Sequence, residues 1–350
     1  MKQFFAAITL LFLSFSFTFA QSRKLDLRFV TDEADAVLAI LAKKKKNQEI
    51  SENDWQRVFQ SEGFRRLKKR EESFKRSFTE EDFKKFVLSD DLAARFETLQ
   101  ETFDRWQRAD LNAAGKRALA YLPKGAHIKA KIYPVIKPRD NSFVFEVKTD
   151  PAIFLYLDPK VNKEQFENTV AHELHHIGFG TACPTPQIEA EIKKLPPNAQ
   201  TVLKWIGAFG EGAAMLAAAG GADIHPHAVS EETERARWDR DAANFNDDLK
   251  RVEKFFTDVL ANRLSEEETN KTAFSFFGEE QGAWYTVGWK MAVTIEKTFG
   301  REKFIEVLCD QRNLLSTYNR AAEKHNKNKP EKLALWSPEL LKAIGNQTSK

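Results

Sequence analysis

The 350-residue chain carries 54 Lys and Arg against 51 Asp and Glu, a formal net charge of +3, so neither a nucleic-acid groove nor a polybasic membrane surface is expected. Hydrophobic residues make up 42% of it, with 29 Phe and 7 Trp but only 15 Gly and 12 Pro. This excludes collagen-like, low-complexity and disordered classes and leaves material for a helix-rich core.

Residues 1–20 read as a secretory signal peptide. Lys2 supplies the positive start, Phe4 to Phe19 is an apolar run broken only by Ser and Thr, and Thr18-Phe19-Ala20 offers a small-x-small cleavage site. The mature chain is therefore expected to be secreted or periplasmic, with no membrane span once the signal is removed. No Cys follows the cleavage site, which argues against a lipoprotein. In an oxidising compartment the only two cysteines, Cys183 and Cys309, allow one disulfide and no framework, with the paired and free states equally open.

Residues 21–122 form an N-terminal helical region, with apolar residues such as Leu38 and Leu41, then Phe83, Phe86 and Val87, at helical spacings among charged ones. The basic blocks Lys43 to Lys46 and Arg65 to Arg70 read as solvated helix faces. From Pro123 the pattern changes. HIKAKIYPVI, SFVFEV and AIFLYLD, within residues 127–157, alternate or run apolar between turn residues and predict a small sheet, a hairpin plus one further strand. After Asp158-Pro159 the chain is expected to be helical to residue 345, broken at Pro196-Pro197, Gly220-Gly221 and Pro226. The fold class is thus α+β, mainly α, in a region 123–345 whose sheet precedes its key helices at 162–222.

The first of those helices carries H-E-x-x-H as His172, Glu173 and His176. This spacing sets two imidazoles one turn apart, where both reach a single metal ion, and places Glu173 to act on water beside it. Asn162 and Gln165 can form a capping box at its start, and Gly178 and Gly180 are expected to end it. Phe166, Val170, Leu174 and Ile177 fall on one face, roughly opposite the two ligand histidines. His175 lies off the ligand face and reads as a supporting or surface residue.

A third ligand has to come from further along. Phe179 and Ala182 stand where a metzincin has Gly and His or Asp, and a di-iron bundle would need a second Glu-x-x-His pair that is missing. Glu211 is the only ionisable residue in WIGAFGEGAAMLAAAGGA, and a buried carboxylate without a partner is costly; a bound cation removes that cost. Gly210 and Gly212 fit a helix laid close against the histidine helix. Glu189 and Glu191 are rivals, in a polar segment where a carboxylate needs no partner.

HELHH followed by GEGAA resembles the gluzincin class of zinc metallopeptidases, and the stretch GAWYTVGWKMAVTIEKTFG is similar to uncharacterised bacterial proteins described as zinc-dependent peptidases. The resemblance spans roughly residues 150–318. It implies a zincin-like catalytic domain holding one Zn²⁺ per chain through His172, His176 and Glu211, and a peptide or protein substrate. Glu173 would be the general base for peptide-bond hydrolysis. The interval from His176 to Glu211 is longer than in thermolysin-like enzymes. Tyr285-Thr286-Val287-Gly288 is similar to the Y-x-x-G segment of gluzincin aminopeptidases and makes Tyr285 the first choice of oxyanion donor, with His225 and His227 as rivals. An edge strand over Ala152 to Leu157 could bind an extended peptide. A hydrolase of non-peptide or cell-wall amides would use the same residues. A non-catalytic scaffold would not need Glu173.

Overall fold

A computed structural model describes residues 24–278 and 282–345. The expected signal peptide lies outside the described residues. A short strand, β1 (Leu25–Phe29), opens the chain, followed by α1 (Asp32–Lys45), α2 (Glu52–Phe59), α3 (Glu62–Ser73), α4 (Glu80–Val87), α5 (Asp90–Ala94), α6 (Phe96–Gln107) and α7 (Leu111–Leu119). Ser51, Ser61, Thr79, Ser89 and Asp110 cap five of these helices through their side chains, which explains how so many short helices start cleanly.

Three strands follow: β2 (Ile128–Val135), β3 (Phe143–Phe145) and β4 (Ala152–Tyr156). The sheet order is β1-β2-β4-β3, with β1 and β4 parallel to β2 and β3 antiparallel to β4. The hairpin and further strand expected from the sequence are present, joined by β1 at one edge. The alternation of β4 sorts its side chains by face. Ile153 and Leu155 join the core beneath α7 and the next helix, while Ala152 and Phe154 pack on the other face with Leu67 and Tyr133. The edge-strand reading of Ala152 to Leu157 is corrected here: β4 is interior, paired to β2 on one side and β3 on the other, and the Tyr156 amide donates to Ser142 Oγ.

The rest is helical: α8 (Lys163–Ala182), α9 (Pro186–Ile192), α10 (Pro197–Ile206), a 3-10 turn at Gly207–Phe209, α11 (Gly210–Ala219), α12 (Glu232–Ala243), α13 (Phe245–Leu260), α14 (Glu266–Ser275), α15 (Ala283–Phe299), α16 (Arg301–Cys309), α17 (Leu314–Asn328) and α18 (Pro338–Ile344). The fold is α+β and mainly α. The run Pro197–Ala219 is long and apolar enough to cross a membrane by length and composition, and most of it is buried in the protein interior.

Two large apolar clusters organise the molecule. One joins α1–α7, one sheet face and α8 through Phe103, Trp106, Ile128, Phe166 and Val170; the other joins α10, α11, α13 and α15–α18 around Phe209, Phe256, Trp284 and Trp336. Cys183, at the end of α8, is disulfide-bonded to Cys309, the last residue of α16.

Candidate metal centre

The capping box at the start of α8 is present: Gln165 N donates to Asn162 Oδ1 at 2.8 Å and Asn162 N to Gln165 Oε1 at 2.9 Å. Phe166, Val170, Leu174 and Ile177 are buried, as their spacing requires, with Phe166 stacked on Trp106 at 4.3 Å. This fixes the rotation of the helix and turns His172 and His176 to the opposite side. Gly178 and Gly180 do not end it; α8 runs on to Ala182. Gly178 is instead a packing position, since a Cβ there would lie 2.3 Å from Leu122 Cδ1.

Glu211 sits in the first turn of α11. Helix α11 packs on the histidine helix as expected, but its glycines are not what brings the two together: the close approach at Gly212 is made to α15, and Gly210 has nothing within 4 Å of an added Cβ. A Cβ on Gly212 would fall 2.0 Å from Trp289 N, and one on Gly288 2.6 Å from Phe209 O, so the two backbones touch at this crossing. Tyr285, three residues before Gly288, is thereby held beside Glu211.

The three candidate ligand atoms converge. His172 Nε2 and His176 Nε2 are 3.0 Å apart, and each is 3.2 Å from Glu211 Oε2. A tetrahedral ion with bonds of about 2.0–2.1 Å holds its ligand atoms about 3.3 Å apart, so this triangle fits zinc with little adjustment. All three side chains are half-buried, which leaves the point between them reachable. Among the described residues this is the one group of three such side chains placed to hold a metal.

Burial would raise the Glu211 pKa, but hydrogen bonds from His172 and His176 and the charge of both outweigh it and hold the carboxyl well below its usual range. Burial likewise opposes protonation of His176, and the Glu211 hydrogen bond and charge, then Glu173, reverse it, so the imidazole is shifted upward. Tyr285 is pushed above the ordinary phenol range by burial first, then by the charge of Glu211 and a hydrogen bond to it, then by Glu173. Its ring lies 6.4 Å from that of His172. Glu173 is half-buried on the same helix and close enough to act electrostatically on both His176 and Tyr285.

The remaining candidates are elsewhere. His175 is 1% exposed, so it is a core residue and not a surface one; burial first, then His176 and His172, pushes its pKa down to about 3. Glu189 and Glu191 are exposed on α9, the latter paired with Lys194 at 2.5 Å. His225 bonds Asp239 at 3.0 Å. His227 bonds Ser230 through Nδ1 at 3.1 Å and, unlike His225, lines the cleft that His172 and Tyr285 share.

That cleft, of about 610 Å³, runs from the triad along α8 past Thr169, Asn168 and Gln165, with the segment from Pro226 to Glu234 as its opposite wall. Nothing in the motif itself points to Thr169, Asn168 and Gln165. Their spacing of three, four and seven residues before His172 is the helical signal that would have found them.

Two imidazoles of an H-E-x-x-H turn and a carboxylate from a second helix, meeting at one half-buried point, have the donor set and spacing of a zinc site in a mainly helical α+β protein. The chain belongs to the family described as "Putative zinc dependent peptidase (DUF5700)", which matches residues 27–327. No curated protein and no solved structure matches it.

Proposed function

We propose that the protein is a secreted or periplasmic zinc metallopeptidase of the gluzincin type, with His172, His176 and Glu211 as ligands of one Zn²⁺ and a peptide or protein as substrate. The observation that carries this reading is the convergence of the three ligand atoms within 3.2 Å of one another, with Glu173 and Tyr285 beside them. Zinc in that position supplies a Lewis acid that lowers the pKa of water toward about 7 and polarises a carbonyl. The chain's residues supply the rest. A Glu173 carboxylate oxygen takes a proton from the attacking water and delivers it to the departing amide nitrogen. Tyr285 keeps its proton, because burial and two neighbouring carboxylates disfavour the phenolate, and so has an O–H to donate to the carbonyl oxygen as it gains charge. The polar side of α8, from His172 back to Gln165, lines the path an extended substrate would follow.

Elemental analysis of the purified protein, with peptide cleavage measured in parallel, tests this reading. About one zinc per chain is expected. Glu211→Ala should lose most of it, whereas Glu173→Ala should keep the metal and lose cleavage by roughly 10²–10⁴-fold. A folded wild type that takes up no zinc overturns the reading. Full cleavage by Glu173→Ala overturns the mechanism.

A further inference from the structure

The metal centre straddles the boundary between the two apolar clusters. His172 and His176 ride on α8, whose buried face belongs to the N-terminal cluster; Glu211 and Tyr285 ride on α11 and α15, which are built mainly into the C-terminal one. The geometry of the triad therefore depends on what holds α8 against the second cluster. At its middle, α8 packs on α11. Toward its far end Phe179 still packs against both clusters, but beyond it Gly180 and Thr181 are exposed and α9 has no fully buried residue. The buried feature there is Cys183, seven residues past His176, bonded to Cys309 on α16. Helix α16 is itself packed into the C-terminal cluster through Phe304, Val307 and Leu308 and follows α15 directly. The disulfide thus closes a circuit from α8 through α16 and α15 to α11 and back across the triad.

We propose that this disulfide sets the affinity of the triad for its metal, so that metal loading is linked to the redox state of Cys183 and Cys309. The inference rests on the zinc-centre reading above. Opening the bond takes two electrons and two protons from a dithiol, which becomes a disulfide as the two cysteines become thiols. A route exists, because Cys309 lines a groove of about 690 Å³ between Leu119, Leu122, Ile188 and Ile305. Once the bond is open, only the packing of Phe179 and of α11 holds α8 to the second cluster, and the distance of the two imidazoles from Glu211 is less tightly fixed. Linkage makes the effect reciprocal, so bound metal protects the disulfide from reduction by the factor by which the disulfide tightens the metal.

The test measures the zinc dissociation constant by competition with a chromogenic chelator. It compares oxidised wild type, wild type reduced with a phosphine, and the double variant Cys183→Ser/Cys309→Ser, which has no thiol to bind zinc itself, with helical circular dichroism followed throughout. Affinity should fall by roughly tenfold or more in the last two while helicity is kept, and reoxidation of the reduced wild type should restore it. Affinities within about twofold of one another overturn the proposal, because they leave no coupling of the usual size. So does unfolding when the bond opens, since the bond would then serve only to hold the chain together. Absence of zinc binding in the oxidised wild type would instead overturn the metal-centre reading on which the proposal stands.

Discussion

His175 and His176 are neighbours in the chain with opposite fates, and the difference is helical rotation: 100° per residue turns one imidazole toward Glu211 and the other into the core beside Phe179. The same rule makes the two candidate ligands of α8 legible in the amino-acid sequence, because H-E-x-x-H has its meaning only on a helix. Glu211 is legible for another reason, as a lone charge in an apolar stretch. Glu189 and Glu191 can be set aside only once the fold places them on an exposed helix. For Tyr285, replacement by Phe removes one donor and nothing else. Tyr285→Phe is expected to retain zinc and to lose roughly 10²–10³-fold in kcat, measured alongside zinc content. A second carboxylate makes a prediction about stability. Glu33 is 1% exposed, with one oxygen accepting from Ile136 N at 3.1 Å and the other unpartnered. Burial raises its pKa from 4.5 to about 8, the Ile136 amide pulling the other way. Between those values the folded chain holds a proton that the unfolded chain has released, so the contribution of Glu33 is fully present below pH 4.5 and is lost as pH rises toward 8. Denaturant titrations should show stability falling across that window by on the order of a few kcal/mol, and Glu33→Gln should flatten the slope.

At the scale of elements, the crossing of α11 and α15 decides the relation of Glu211 to Tyr285. The atoms that a new Cβ would meet are backbone, which cannot swing aside. Gly288→Ala should therefore push the helices apart at a cost of about 1–3 kcal/mol or more, lowering the melting temperature and moving Tyr285 away from Glu211. Gly210→Ala, at a position with nothing within 4 Å of the added carbon, should leave both melting temperature and zinc content unchanged. The sequence shows that glycines flank Glu211 but not that only Gly212 admits a helix, nor which one, since close approach is recorded in the small residue and its partner is not. Likewise Gly178 looks like a helix end, because its neighbour Leu122 lies far away in the chain. The strand β1 is not legible: LDLRF is five residues long with its alternate side chains only half-buried, and its pairing partner begins a hundred residues later. The short helices from Asp32 to Leu119 are legible because amphipathic spacing and capping residues are local signals.

Across the whole molecule, the candidate metal centre lies between two apolar clusters that otherwise meet mainly through α7, α8 and α11. An ion held by residues from both sides stabilises their association, and zinc at a thousand times its dissociation constant contributes about 4 kcal/mol. Calorimetry with and without excess chelator should show unfolding moving to lower temperature on metal removal, in wild type and not in Glu211→Ala. An unchanged midpoint in wild type would mean that the ion does not join the two halves.

The strand β1 lies parallel to β2, in register from Leu25 opposite Ile128 to Phe29 opposite Ile132. A parallel pair cannot close through a tight turn, and here the connection is the entire run of α1 to α7. As the chain emerges from a ribosome, the partner of β1 appears only about a hundred residues after it, or roughly 5–20 seconds of synthesis later. In the finished sheet β1 remains an edge strand, and the charged, exposed Asp26 and Arg28 that alternate along it disfavour the pairing of that edge with another chain both before and after β2 arrives.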